Sequence, residues 1–285
     1  MIYGISNGIL SANVSTLGGE LISVRKDGKE RIWQNDNDSW RGHAPILFPV
    51  SGDCTMIVDG KQYPIKKHGF ARKSEFYLVG MSKEEITLGF KSNEETKSVY
   101  PYDFEFHVTY RVKGATLEIF YDVFNPSDAP MYAMCGCHES YLLAEEVGKY
   151  EAVFNKKEVF DSYIYDESQA GIKHETVKFG EGERIQLPQK FLNTECLIFK
   201  DVNSTEVELR KIGGGKIAKL TFEGFKNFLF WHPLGSKMIC MEPWHNLPDF
   251  IDEKNVEFSS KNGAQEIPPK SKKRFIHTIE YFDFQ

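Results

Sequence analysis

The stretch CMEPWHNLPD, residues 240–249, places a carboxylate and an indole ring two positions apart. The residues before it are apolar and indicate a strand, in which a buried carboxylate without a partner would cost several kcal/mol. On an extended segment Cys240, Glu242 and Trp244 share a face. A carboxylate beside a flat aromatic ring suits a sugar, because the acid binds a hydroxyl and the ring packs on the apolar C–H face. The pattern favours a carbohydrate ligand, and the alternative is an internal salt bridge from Glu242 to an arginine such as Arg72.

A second candidate, His138, lies in the segment CGCHESYLL. It follows Gly136, and a glycine inside a strand weakens the strand unless another group must approach the backbone closely. Cys137 and His138 are adjacent, so in a strand they point to opposite sides and cannot form a thiolate–imidazole pair with each other. The alternative for a single histidine in a strand is a surface or hydrogen-bonded role. Three other histidines are assigned to that ordinary class: His107, His174 and His277.

Two further segments combine polar and aromatic residues. KKHGFARKSEF contains His68 and Arg72, and WRGHAPILFPVSG contains Trp40, Arg41 and His43. Histidine and arginine can donate hydrogen bonds to hydroxyl or phosphate oxygens, so both segments are candidates for ligand binding.

Other chemistries fit the sequence less well. His138, His232, Glu242 and His245 are potential metal ligands, but no His-x-His or His-x-x-x-His pair occurs at ligand spacing, so no metal site is predicted. GGGK at 213–216 lacks the earlier glycine and the following Ser or Thr of a phosphate-binding loop, which indicates a hairpin loop. The chain has no GxGxxG that precedes a helix.

The composition argues against several classes of partner. The net charge of -6 disfavours nucleic acid, because phosphate neutralisation needs clustered Lys and Arg in excess. No apolar run approaches the ~20 residues of a membrane span, and the start MIYGISNGIL lacks the features of a signal peptide, so we expect a cytoplasmic protein without a membrane partner. The five cysteines are an odd number without CxxC and indicate free thiols.

Period-two alternation dominates the chain. In FEFHVTYRV, residues 104–112, apolar and polar side chains alternate, and EITLGFK, TLEIFYDVFN and RFIHTIEYF follow the same pattern. Turn signals such as Asn262-Gly263 separate the strands. Because no linker-like stretch interrupts the pattern, we predict a single all-β domain over residues 1–285, packed as two large antiparallel sheets. The polar stretch AGIKHETVKFGEGERIQL is expected to be a surface excursion.

Taken in order, PILFPVSG, HGFAR, CGCHESY and ICMEPWHNLPD resemble the aldose 1-epimerase (galactose mutarotase-like) family, particularly its shorter bacterial LacX-like branch. The similarity runs from about Trp40 to the C-terminal strand, and four short motifs in the right order are specific together. The resemblance implies one large β-sandwich, a galactose mutarotase-like supersandwich, with the site in a cleft on one sheet. It implies an enzyme that interconverts the α and β anomers of a free hexose such as glucose or galactose.

The resemblance also implies roles for individual residues. Mutarotation needs a base that removes the O1 proton and an acid that protonates the ring oxygen; the C1–C2 bond then rotates and the ring closes on the other face. Glu242 matches the family's base and His138 its acid, while His68 matches a histidine near the ring oxygen and Arg72 holds a hydroxyl. We expect His138 to start protonated and Glu242 ionised. The reaction requires neither a metal nor an organic cofactor.

Part of the family's pattern has no clear match. For the acidic residue that binds sugar hydroxyls, the candidate is Asp201 in LIFKDVNS. Apolar contact to the sugar is expected from Trp244, Trp40 or Trp231. The expected partner is a small sugar, and a homodimer is left open.

Two rival functions follow from the same residues. A hexose-6-phosphate mutarotase would use Arg41, Lys66, Lys67 and Arg72 to bind the phosphate, although Lys66 and Lys67 also fit a solvated strand end. A non-catalytic carbohydrate-binding protein would keep the cleft and show saturable binding without turnover.

Overall fold

The computed structural model describes residues 1–35, 39–191 and 195–283, whose regular structure is mainly antiparallel β-sheet. The strands in chain order are β1 (Ile2–Ser6), β2 (Leu10–Ser15), β3 (Leu21–Lys26), β4 (Lys29–Glu30), β5 (Met56–Val58), β6 (Lys61–Tyr63), β7 (Tyr77–Met81), β8 (Glu85–Lys91), β9 (Glu105–Lys113), β10 (Thr116–Phe124), β11 (Met131–Ala133), β12 (Glu139–Leu142), β13 (Tyr150–Asp166), β14 (Gly171–Gln186), β15 (Cys196–Phe199), β16 (Glu206–Lys211), β17 (Lys216–Thr221), β18 (Asn227–Trp231), β19 (Met238–Trp244), β20 (Gln265–Ile267) and β21 (Lys272–Tyr281). The helical elements of the described ranges are α1 (Glu94–Val99) and the 3-10 turns Ala71–Lys73, Val147–Lys149 and Phe258–Ser260. The all-β class predicted from the sequence is confirmed. None of these helices is long and apolar enough to cross a bilayer.

The larger sheet contains nine strands in the spatial order β14-β13-β16-β17-β21-β10-β9-β8-β7, and each neighbouring pair is antiparallel. Its strand β21 alternates as the sequence predicts: Phe275, His277, Ile279 and Tyr281 are buried, and the residues between them are more exposed. A histidine therefore lies on the inner, otherwise aliphatic and aromatic face of a central strand.

The second sheet contains four antiparallel strands in the order β12-β19-β18-β15. Along β19, Ile239 and Met241 join the main hydrophobic core, which also contains the inner residues of the nine-stranded sheet. Met238 and Cys240 point the other way and pack with Trp33. The two sheets thus form a sandwich. Met238 and Cys240 lie on the face of the four-stranded sheet that is turned away from the large sheet.

Smaller pairings complete the fold. A third sheet has the order β1-β2-β3-β4, and β5-β6 and β11-β20 form two-stranded sheets. Isolated bridges join Leu47 to Gly136 and Gly136 to Trp244. The segment before β12 therefore continues the pairing of the four-stranded sheet.

The hairpin of β13 and β14 reaches past the large sheet. Among the strands of the described ranges, β14 has β13 as its neighbour on one side and none on the other, so it is an edge strand, which explains the polar composition of AGIKHETVKFGEGERIQL. Most of that stretch is exposed or half-buried, so it lies at the surface as expected, within an edge strand whose pairing with β13 is interrupted by register shifts. Near the tip, the Ile172 N–H donates to the Asp249 carbonyl, 2.9 Å, and the Ile251 N–H donates to the Ile172 carbonyl, 3.1 Å. These bonds hold the hairpin tip beside the open face of the four-stranded sheet.

Candidate active site

The floor of the candidate site is a row of side chains across the four-stranded sheet. The antiparallel register that pairs Glu139 with Met241 places His138 opposite Glu242. The bridge between Gly136 and Trp244 continues the same register. The whole row reads His138, Glu242, Leu229, Ile198.

This row forms the bottom of a cavity of about 320 Å³, within the size range of small-ligand sites. His68, Arg72 and Trp244, all predicted to bind the ligand, line the same cavity as His138 and Glu242. These five residues are scattered along the sequence, and the fold brings them together.

His138 and Glu242 form a buried pair. The Nδ1 atom of His138 lies 3.5 Å from Oε1 of Glu242, and the two side chains are 9% and 2% exposed. Burial lowers the pKa of His138 to about 3 and raises the pKa of Glu242 well above its ordinary value, because weakly polar surroundings disfavour both charged forms. The attraction between an imidazolium and a carboxylate opposes this effect. The pair can therefore exist as imidazolium and carboxylate or as imidazole and carboxylic acid. These two forms contain the same number of protons and differ only in whether Nδ1 of His138 or Oε1 of Glu242 carries the shared one.

The pair differs in two respects from what the sequence suggested. Within the described ranges, the cationic group within 4.0 Å of Glu242 is His138 and not Arg72, so the alternative salt bridge is not formed. Burial also opposes the expected permanent charge on His138. Nδ1 of His138 and Oε2 of Glu242 are buried and have no hydrogen-bond partner among the described residues. Because such groups are normally satisfied, they are available to a polar ligand.

Aromatic rings surround the pair. Trp40 stacks on His138 with ring centroids 5.2 Å apart and an interplanar angle of 21°. Trp231 meets Trp40 edge-on at 5.2 Å, and Trp244 meets His68 edge-on at 5.5 Å. The rings restrict the His138 imidazole and offer apolar surface suited to the C–H face of a sugar.

His68 is oriented by a hydrogen bond to the backbone. Its Nδ1 lies 2.5 Å from the Ser51 carbonyl oxygen, and because a carbonyl only accepts, Nδ1 carries the hydrogen. Burial, followed by the charge of nearby His138, lowers the pKa of His68 well below its ordinary value. The ring is therefore neutral, and its Nε2 offers a lone pair to a hydroxyl. His68 also has a φ of 66°, a costly backbone conformation for a residue with a side chain, as found at functional sites.

Two cations lie on the wall of the cavity. Arg72 has a buried Nε without a hydrogen-bond partner in the described part of the chain, and burial lowers its pKa while Glu20 opposes that shift. The Lys67 ammonium lies 4.6 Å from the Tyr165 ring centroid and 4.0 Å from Asp53 Oδ2. Tyr165 donates its hydroxyl hydrogen to the same carboxylate, at 2.5 Å. Arg72 donates from Nη2 to the Lys67 carbonyl, 3.4 Å, and keeps Nε unused, while the Lys67 ammonium is already engaged.

Two carboxylates in the cavity wall were missed in the sequence. Glu167 and Glu195 line the cavity, but neither stands on an apolar strand face, so alternation gave no signal for them. Asp201, the candidate for binding hydroxyls, is not among the lining residues and pairs with Lys200 at 2.5 Å. Arg41 is exposed and also lies outside the lining.

Gly136 allows two side chains to approach the backbone. A Cβ atom at this position would lie 2.7 Å from Ser51 Oγ and 2.8 Å from Trp244 Cδ1. The sequence predicted that another group approaches the backbone closely at Gly136, and in the structure the Ser51 and Trp244 side chains do so.

The four-residue metal set considered from the sequence does not assemble, because His232 and His245 are not among the lining residues. Ligand atoms of His138, Cys240 and Glu242 do lie within 4.8 Å of one another. Burial, however, raises the pKa of the Cys240 thiol well above its ordinary value, and a metal binds the thiolate. The cluster is better described as a histidine–carboxylate pair packed on a thiol.

Comparison with known proteins finds sequence similarity along most of the chain. The model of the family described as aldose 1-epimerase matches residues 1–262. Protein LacX, plasmid, of Lactococcus lactis subsp. lactis is 28% identical over 297 residues, which cover 98% of this chain and 99% of that protein. A putative glucose-6-phosphate 1-epimerase of Escherichia coli (strain K12) is 28% identical over 121 residues, which cover 39% of each chain.

The fold is shared with solved structures. A galactose mutarotase related enzyme from Lactobacillus acidophilus superimposes with a TM-score of 0.87 and 26% identity, covering 99% of this chain and 98% of that one. The galactose mutarotase-like β-sandwich predicted from the sequence is therefore confirmed.

Proposed function

The chain belongs to the aldose 1-epimerase family, and we propose that it interconverts the α and β anomers of a free hexose such as glucose or galactose. The observation that carries the proposal is the 3.5 Å separation of His138 Nδ1 and Glu242 Oε1 on the floor of the cavity. O1 and O5 of a cyclic aldose are bonded to the same carbon. An acid and a base that serve these two oxygens must therefore lie side by side, as this pair does.

The proposed reaction begins from the charged form of the pair. The Glu242 carboxylate accepts the O1 proton and the His138 imidazolium protonates O5, so the C1–O5 bond breaks and an open-chain aldehyde forms. The C1–C2 bond rotates. O5–H then attacks the other face of the carbonyl, His138 takes back the O5 proton and Glu242 returns its proton to O1. The pair ends in the state in which it began, and the chemistry is complete without a metal or an organic cofactor.

The surrounding residues would position the sugar. Neutral His68 accepts a hydrogen bond at Nε2, so we assign it to a hydroxyl and not to the ring oxygen, which is itself an acceptor. Arg72 supplies its unused Nε–H to a second hydroxyl. The indoles of Trp40 and Trp244 would contact the C–H face.

The charges of the cavity favour an unphosphorylated sugar. Lys67 and Arg72 would attract a phosphate, and this is the observation in favour of a hexose 6-phosphate. Lys67 is engaged by Tyr165 and lies near Asp53, while Glu167 and Glu195 line the same cavity. A phosphate carries about two negative charges at neutral pH, and these carboxylates would repel it.

Polarimetry of freshly dissolved α-D-glucose and α-D-galactose tests the proposal, with His138→Asn and Glu242→Gln as matched variants. We expect wild type to accelerate anomeric relaxation and each variant to lose about 10²–10⁴-fold of that acceleration while remaining folded by circular dichroism. Glucose 6-phosphate is followed in parallel by NMR. Faster turnover of the phosphate would favour the rival substrate, and saturable sugar binding with no acceleration of any sugar would show a binding protein.

A further inference from the structure

We propose that Glu139 and His277 are positioning residues that hold His138 against Glu242 from the core side of the sheet. The inference rests on the proposed function, because it concerns the alignment of the proposed acid. Neither residue lines the cavity, so both would act through His138.

His277 contacts both chain neighbours of His138. Its Nε2 lies 2.7 Å from Glu139 Oε1, and its Nδ1 lies 3.3 Å from Cys137 Sγ. Adjacent residues of a strand point to opposite faces. His138 therefore faces the cavity while Cys137 and Glu139 face the core, where one imidazole on β21 of the large sheet holds both.

The polar contact lies in the middle of the sandwich. His277 is 1% exposed, Glu139 3% and Cys137 0%, and the core around them is mainly aliphatic and aromatic. A buried polar or ionic pair is seldom more stabilising than well-packed apolar side chains of similar volume. Stability alone therefore does not account for a histidine and a glutamate here, whereas a directional contact that fixes one strand does.

The contact complements two hydrogen bonds within the four-stranded sheet. The Cys137 N–H donates to the Pro243 carbonyl, 3.1 Å, and Trp244 Nε1–H donates to the Cys137 carbonyl, 3.2 Å. These bonds act within the plane of the sheet and hold the segment that carries His138 beside β19, the strand that carries Glu242. The contacts of His277 with Glu139 and Cys137 hold the same segment from the core side of the sheet. They therefore oppose rotation of the segment about its own axis. Rotation would move the imidazole away from Glu242, and a displacement of about 1 Å can cost about 10²-fold in rate.

The double variant Glu139→Leu/His277→Phe tests the inference, because it removes both polar groups without leaving one buried alone. We expect a folded protein whose kcat for anomer exchange falls on the order of 10–100-fold while KM stays within about twofold. The matched control is Asp122→Asn/Arg274→Met, which removes an ion pair from the other face of β10 and β21. The control should keep wild-type kcat and KM.

A folded double variant with wild-type kcat would overturn the inference. If the double variant does not fold, His277→Gln replaces it, because a glutamine side chain cannot reach both Glu139 and Cys137. A lowered kcat of this variant at unchanged KM supports the inference, and a wild-type kcat overturns it. Wild type is assayed first, so that lack of turnover counts against the proposed function only. In that case the imidazole NMR signals of His138 give the answer: we expect them to shift and broaden in the variant, and unchanged signals would refute positioning.

Discussion

His138 and Glu242 occupy opposed positions on two adjacent antiparallel segments, with Nδ1 and Oε1 3.5 Å apart. Strand register sets this contact. Glu139 pairs with Met241 and Gly136 with Trp244, and the same register places His138 directly opposite Glu242. The relative position of the proposed acid and base is thus a property of the sheet and not of a mobile loop.

The first prediction concerns pH. The pair is active when it holds one shared proton, so activity falls at low pH when the pair takes up a second proton and at high pH when it loses the shared one. Burial lowers the first pKa to about 3 and raises the second well above 4.5. We therefore expect kcat/KM for glucose not to fall as the pH decreases from about 7 to about 5, because the acid-side pKa lies near 3. Polarimetry with subtraction of the spontaneous rate measures it, and a fall centred near the ordinary histidine value of 6.5 would contradict the model.

Alternation along strands explains which parts of the site could be predicted. Cys240, Glu242 and Trp244 were placed on one face because strand periodicity is local, and the fold puts Glu242 and Trp244 in the cavity. The same argument applied to RFIHTIEYF would have singled out His277, which stands among Phe275 and Ile279 on a buried face. As a single histidine in a strand it is predicted to be a surface or hydrogen-bonded residue, and in the structure it is hydrogen-bonded to Glu139.

Other features depend on long-range topology. His68 and His138 meet with ring centroids 5.6 Å apart because separate segments converge, which no local pattern encodes. Glu167 reaches the cavity from a hairpin tip that is held by the 249–251 segment. The protonation of the His138–Glu242 pair also depends on burial, which a sequence does not state.

The second prediction concerns Gly136. Alanine here would place Cβ 2.7 Å from Ser51 Oγ and 2.8 Å from Trp244 Cδ1, so we expect about 1–3 kcal/mol of destabilisation together with lowered kcat. Urea unfolding and polarimetry measure the two effects. Adding Ser51→Ala should restore part of the stability by removing one clash. Gly80→Ala is the control, since nothing lies within 4 Å of its Cβ position; equal losses in the two alanine variants would refute the steric account.

The third prediction concerns stability in acid. His245 is 3% exposed, accepts a hydrogen bond at Nδ1 from the Cys135 N–H, 3.0 Å, and burial lowers its pKa to about 3 from 6.5. Between these values the unfolded chain binds the proton and the folded one does not, so stability falls as pH decreases. From pH 6.5 to about 5 this histidine should contribute about 2 kcal/mol to the loss. Urea unfolding at the two pH values should show a shallower dependence in His245→Asn. An unchanged slope in His245→Asn would refute the assignment.

The last prediction separates the two arginines that the sequence offered for ligand binding. Arg72 lines the cavity with a buried Nε that lacks a partner in the described ranges, whereas Arg41 is exposed and outside the lining. Hydrogen bonds to charged groups contribute about 1.5–3 kcal/mol, so Arg72→Ala should raise KM for glucose or galactose on the order of 10–100-fold with a smaller change in kcat. Arg41→Ala should leave both constants within about twofold. If both variants instead lose activity on glucose 6-phosphate and wild type turns over free sugar poorly, then the phosphate lies across both arginines, and the cavity binds a phosphorylated substrate.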